Sequence, residues 1–114
     1  MGNVADFPTA GHAPSQTAFD RIELSRIMNL YGRMVSAGHW RDYAIDLHRE
    51  VAVFSAFRRA AERPEFRIEK RPSLRNRQGM WALITETGAV LRRGHELGPV
   101  LAPVERRLMK IVGD

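Results

Sequence analysis

Apolar residues recur at three- and four-residue spacing in the first third of the chain. They are Phe19, Ile22, Leu24, Ile27, Leu30, Tyr31, Met34 and Val35. This spacing places them on one side of a helix, and Gly38 is typical of the residue that follows a helix C-terminus. We therefore predict an amphipathic helix over residues 18–37, with Thr17 or Asp20 as its N-terminal cap.

The apolar period falls to about two after this helix, which indicates strands. Tyr43, Ile45 and Leu47 alternate with small or polar residues, as in a half-buried strand. Residues 51–58 favour a strand by their valines and phenylalanines, although the nearby alanines would also suit a helix. Further strands are predicted at 66–70, 80–84 and 89–92, and the fully apolar run at 80–84 is typical of the interior of a sheet.

The last apolar stripe lies near the C-terminus. Its members are Leu97, Val100, Leu101, Val104, Leu108, Met109, Ile111 and Val112. This pattern predicts a helix over about 97–112. Pro103 lies inside the pattern and should break or kink the helix, so the core helix is expected to begin near Pro103 after a turn from Glu96.

The order of elements predicts an α+β fold. It consists of an N-terminal helix, an antiparallel meander of about five strands and a C-terminal helix, with both helices on one face of the sheet. We expect residues 17–114 to form a single domain. Residues 1–16 contain two prolines and two glycines without a sustained apolar period, so they are expected to form a flexible tail.

Composition excludes several classes of protein. The 114 residues and 13.0 kDa leave room for one domain. The absence of cysteine excludes a disulfide framework, a thiolate zinc site, an iron–sulfur cluster and a cysteine nucleophile. No apolar run approaches the about 20 residues of a membrane span, and no secretory signal is visible. The expectation is a soluble cytoplasmic protein without a membrane partner.

The net charge of +5 is concentrated in one segment. Eight bases and three acids lie between Arg58 and Arg77, so this segment carries +5 and the remainder sums to zero. Of the 18 basic residues, 16 are arginine, and only Lys70 and Lys110 are lysine. Arginine makes bidentate contacts with phosphate and carboxylate. A GC-rich genome, which favours arginine codons, is an alternative origin of this bias.

The basic segment predicts a polyanion site, most plausibly for nucleic acid, because cations along a surface neutralise phosphates. The candidate residues are Arg58, Arg59, Arg67, Lys70, Arg71, Arg75 and Arg77. Two alternatives remain open. The chain is an accessory or adaptor subunit that binds an acidic protein, with a homodimer as a variant, or the segment is a solvated sheet face with Arg–Glu pairs.

No catalytic motif is recognisable, so the prediction is a non-enzymatic module without cofactor or metal. Asp46, His48 and Glu50 would share one face of a strand and offer a metal site, but such residues are more often the polar side of an edge strand. The loop His39-Trp40-Arg41-Asp42, with His95 elsewhere, would offer a histidine–aspartate general base, but no Ser, Thr or Tyr at a recognisable elbow accompanies it. Trp40 is more simply explained as a core residue beneath the turn.

Several short segments resemble a known family. They are Leu30-Tyr31-Gly32-Arg33-Met34-Val35, residues 40–46, Val53-Phe54-Ser55 with Phe57-Arg58-Arg59, residues 67–72, and Leu91-Arg92-Arg93-Gly94-His95. In these segments the chain is similar to a family of short alphaproteobacterial proteins catalogued as a domain of unknown function. The resemblance covers most of residues 18–112. It implies a bacterial cytoplasmic protein and supplies no activity, substrate or catalytic residue.

Overall fold

The computed structural model describes residues 16–59 and 63–113, and confirms the predicted α+β fold. A five-stranded antiparallel sheet has the strand order β1-β2-β3-β4-β5, and one helix precedes it and one follows it. The elements are α1 (Arg21–Ser36), β1 (Asp42–Leu47), β2 (Ala52–Phe57), β3 (Phe66–Lys70), β4 (Trp81–Thr85), β5 (Val90–Gly94) and α2 (Leu97–Gly113), with a short 3-10 turn (Pro72–Leu74) before β4. The predicted flexible tail lies outside the described residues except for Gln16.

Helix α1 begins at Arg21, directly after its cap Asp20, and not at residue 18, where the apolar pattern predicts its start. The Asp20 carboxylate accepts the Glu23 backbone N–H at 2.8 Å, and the Glu23 carboxylate accepts the Asp20 N–H at 2.8 Å. This reciprocal pair satisfies two amide groups that the first helical turn leaves without partners. Thr17, the other predicted cap, instead bonds the Arg49 carbonyl through its hydroxyl. At the other end, Gly38 takes a φ of +78°, which favours glycine.

The sheet buries one face under both helices. Phe54, Ile68 and Leu83 lie directly opposite one another on β2, β3 and β4, and all three pack in the core. Side chains of α1 and α2, such as Leu30 and Val104, complete the same cluster. The strand prediction for residues 51–58 is confirmed, as is the interior position of the apolar strand β4.

The prediction that the core helix begins near Pro103 is wrong, because α2 begins at Leu97 and continues through Pro103. Proline lacks the N–H that would bond the carbonyl four residues earlier, which here belongs to Pro99. The Arg92 guanidinium on β5 donates to that carbonyl at 3.2 Å. A side chain from the sheet thus replaces the missing helical hydrogen bond.

The antiparallel order separates two ends of the sheet. One end carries the β2–β3 connection (residues 58–65), the α1–β1 connection (37–41) and the β4–β5 turn (86–89), and we call it the β2–β3 end. The β3–β4 connection, residues 71–80, lies at the opposite end. Basic residues in connections at the same end of the sheet therefore lie near one another, whereas those in connections at opposite ends are separated by the length of a strand.

Candidate nucleic-acid interface

The basic segment predicted from sequence is divided between the two ends of the sheet. Arg58 and Arg59 lie at the β2–β3 end, whereas Arg75 and Arg77 lie in the β3–β4 connection. Strand β3 separates them, and five residues at about 3.3 Å each span roughly 16 Å. The seven predicted residues therefore do not form one continuous patch.

At the β2–β3 end, Arg58 and Arg59 are joined by two further arginines. Two adjoining clefts share the Arg58 and Arg59 side chains. The first, of about 390 Å³, is lined by Gly38, His39, Arg41, Arg58 and Arg59. The second, of about 310 Å³, is lined by Arg58, Arg59, Arg63, Glu65 and Glu86. Four arginines thus surround one double cleft, which we call the arginine cleft.

Backbone pairing holds the arginine cleft together. The Arg41 N–H donates to the Phe57 carbonyl at 2.8 Å, which sets the start of β1 beside the end of β2. The Glu65 N–H donates to the Ala56 carbonyl at 2.8 Å, which returns the chain to the sheet beside Arg58. Arg41 of the α1–β1 connection therefore lies beside the β2–β3 connection, which carries Arg58 and Arg63.

The arginines of the cleft form no ion pair with a described carboxylate. Within residues 16–59 and 63–113, none of Arg41, Arg58, Arg59 and Arg63 has a carboxylate within 4.0 Å. Exposed guanidinium groups without a carboxylate partner attract phosphate and form bidentate contacts with it. Glu62 lies outside the described residues.

Glu65 lies beneath the arginine cleft and is occupied by other donors. Its buried carboxylate accepts the Trp40 indole N–H at 2.7 Å and the His39 Nε2 at 3.0 and 3.1 Å. The Arg107 guanidinium on α2 lies 3.1 Å from the same carboxylate. Three side chains already bind this carboxylate, so Glu65 contributes little to neutralising the arginines of the cleft.

Tyr31 supports the Trp40 side of this network. Its ring stacks on Trp40 at 5.9 Å between centroids and meets Tyr43 edge-on at 5.0 Å. Burial raises the pKa of the Tyr31 hydroxyl above its ordinary value, and the nearby Asp42 carboxylate adds to this rise. Tyr31 is therefore a neutral packing residue at physiological pH.

Lys70 has a structural role on the covered face. Its Nζ lies 2.6 Å from the Glu23 carboxylate and 2.8 Å from the Ala18 carbonyl, and 5.9 Å from the centre of the Trp81 ring. Only 13% of its side chain is exposed. The lysine therefore fastens the start of α1 to the sheet and has little surface left for a ligand.

The remaining predicted bases occupy separate places. Arg71 is paired with Glu69 at 3.3 Å. Arg67 lies on the sheet face opposite the helices, where its Nε is buried and has no hydrogen-bond partner in the described part of the chain. Arg75 and Arg77 are exposed, and the Arg75 carbonyl accepts the His95 Nδ1–H at 3.2 Å.

The alternative chemical sites from sequence are not assembled. Strand β1 ends at Leu47, so His48 and Glu50 fall in a turn rather than on one strand face with Asp46. Within residues 16–59 and 63–113, no three metal-binding side chains converge. His39 pairs with Glu65 and not with Asp42, while His95 lies at the other end of the sheet.

Comparison with protein families finds a match over residues 17–101, to a family described as "Protein of unknown function (DUF2794)". The match covers α1, the whole sheet and the start of α2. No curated protein and no solved structure matches the chain. In the described part of the molecule, neither helix has the length and apolar character needed to cross a membrane.

Proposed function

The chain belongs to the DUF2794 family of proteins of unknown function, and we propose that it is a small non-enzymatic module that binds nucleic acid at the arginine cleft. The observation that carries this proposal is the convergence of Arg41, Arg58, Arg59 and Arg63 without a carboxylate partner in the described residues. A cytoplasmic location is part of the proposal.

The form of the arginine cleft suits a repeating anion. Two neighbouring pockets share Arg58 and Arg59, so one phosphate in each pocket would contact the same pair of guanidinium groups. Nucleic acid presents phosphates at regular intervals along its backbone, and their neutralisation supplies most of the sequence-independent affinity. An acidic protein would use the same arginines, which makes it the alternative that an experiment must separate.

The test is the salt dependence of binding to labelled single-stranded DNA and RNA, measured by fluorescence anisotropy. Arg58→Gln/Arg59→Gln removes two charges from the arginine cleft. We expect it to weaken binding and to lower the magnitude of the log-affinity against log-salt slope by about 1.4, at roughly 0.7 per phosphate contact on a single strand. Arg75→Gln/Arg77→Gln is the matched control, because it removes the same charge from the β3–β4 connection and should leave the slope nearly unchanged.

Two results would contradict the proposal. One is the absence of binding by the unaltered protein at about 50 mM salt, where the electrostatic attraction is strong. The other is an equal loss in both double variants, which would indicate attraction to net charge rather than a site. Polyglutamate serves as the competing probe. Tighter binding to it than to the oligonucleotides would favour an acidic protein partner.

A further inference from the structure

Strand β1 is an edge of the sheet, and no strand within residues 16–59 and 63–113 pairs with its outer side. The His48 N–H donates to the Val51 carbonyl at 2.9 Å, which closes the β1–β2 turn. Because backbone direction alternates along a strand, the even-numbered residues of β1 face β2, and Tyr43, Ile45 and Leu47 present their N–H and C=O groups outward. The Tyr43 N–H accordingly bonds the Asp42 carboxylate at 2.8 Å instead of a neighbouring strand.

This edge lacks two of the usual protections against pairing. Proteins commonly block exposed edges with charged side chains, lysine above all, with proline or with a bulge. Asp42–Leu47 contains neither lysine nor proline, and its charges are the two aspartates. Its apolar side chains are partly open to solvent, with Tyr43 42% and Ile45 37% exposed. An unpaired strand with exposed apolar side chains favours the addition of another strand.

The sequence of β1 is complementary to itself in one antiparallel register. If Ile45 lies opposite Ile45 of a second copy, then Tyr43 lies opposite Leu47 and the covered faces of both sheets remain continuous. In the same register, Asp42 lies opposite His48 of the second copy, and Asp46 lies opposite Ala44. Within Asp42–Leu47, apolar residues thus meet apolar residues and no two like charges stand directly opposite each other. Just outside the strand, Arg41 lies opposite Arg49 of the second copy.

The other edge of the sheet is more basic. Strand β5 carries Arg92 and Arg93 among its five residues. An antiparallel self-pairing centred on Arg92 would place two arginines directly opposite, which is destabilising. Strand β1 has no base between Asp42 and Leu47, and we take it as the edge for a second copy of the chain.

We propose that the protein forms a two-fold symmetric homodimer through β1, with a continuous ten-stranded sheet. Pairing releases the Asp42 carboxylate from the Tyr43 N–H, which then bonds Leu47 of the second copy, and Asp42 reaches His48 of that copy. Ile45 lies on the symmetry axis. Arg41 of the arginine cleft lies next to Asp42, at the end of this interface, whereas Ile45 lies on the axis, so the dimer is tested by its own oligomeric state and not by nucleic-acid binding.

Sedimentation velocity over a range of protein concentrations tests the dimer. The unaltered chain should sediment as a species of twice the 13.0 kDa monomer mass. The Ile45→Lys variant should sediment as a monomer, because two lysines would lie opposite each other on the axis. Leu91→Lys is the matched control. It changes a 50%-exposed residue on β5 and should leave the dimer intact. Circular dichroism confirms that each variant is folded.

Crosslinking locates the interface directly, since the chain has no cysteine of its own. Ile45→Cys should be captured as a covalent dimer by a short bismaleimide reagent, and Leu91→Cys should not. An unaltered chain that remains monomeric at all concentrations overturns the proposal. A dimer that survives Ile45→Lys, or that crosslinks through position 91 instead of 45, also overturns it, since the contact then lies elsewhere.

Discussion

Glu65 joins the β2–β3 connection to two other parts of the chain. It binds His39 and Trp40 from the α1–β1 connection and Arg107 from α2. A buried carboxylate is costly unless donors surround it, and here all three donors come from segments distant in sequence. The Glu65 side chain therefore holds together the segments that carry the arginine cleft.

Replacement of Glu65 should destabilise the fold. In Glu65→Ala, the Trp40 indole N–H loses its acceptor in a buried position, and we expect a loss of about 1–3 kcal/mol in the free energy of unfolding. Urea denaturation measures this loss. Glu86→Ala is the control, because Glu86 lines the same cleft but is exposed, and its loss should stay within about 0.5 kcal/mol. Equal values for both variants would show that the network contributes nothing specific.

Among the elements, α2 shows how tertiary contacts override a local signal. Pro103 predicts a break or kink inside the apolar pattern, yet the helix spans Leu97–Gly113. The acceptor that proline leaves without a partner is the Pro99 carbonyl, and Arg92 of β5 satisfies it. No sequence pattern indicates this contact, because Arg92 belongs to another element and its partner is a backbone atom.

A double-mutant cycle tests this compensation. Arg92→Ala should lower the free energy of unfolding by about 1 kcal/mol, because it leaves the Pro99 carbonyl without its donor. In a Pro103→Ala background the backbone N–H at position 103 is restored and can bond the same carbonyl. The cost of Arg92→Ala should then fall close to zero. An equal cost in both backgrounds, measured by urea denaturation, would contradict the explanation.

For the whole molecule, hydrophobic periodicity was sufficient to predict the order of elements and the sheet. The apolar alternation around Tyr43, Phe66 and Trp81 identified strands because side chains alternate between faces. The composition of the site was less accessible. Arg58 and Arg75 belong to one basic run but occupy opposite ends of β3, while Arg41 lies beside Arg58 despite 16 intervening positions.

The residues that sequence reasoning missed are those brought together only by strand pairing. Arg63 belongs to the basic segment but is not among the residues predicted for the polyanion site. Arg41 and Glu65 are also absent from that prediction. A useful signal was the position of Arg41 immediately before β1. In a meander, the residue before one strand meets the residue that follows its antiparallel neighbour, so the β1–β2 pairing alone indicates that Arg41 and Arg58 are close.

The central claim is that nucleic acid binds at the arginine cleft, and hydrogen exchange of the free and oligonucleotide-bound protein tests it most directly. Bound oligonucleotide should slow amide exchange in peptides that contain residues 38–41, 57–59 and 63–65. Peptides from the β3–β4 connection, residues 72–79, should exchange as in the free protein. Protection confined to 72–79, or no change in any peptide under conditions where binding is saturated, would contradict the assignment.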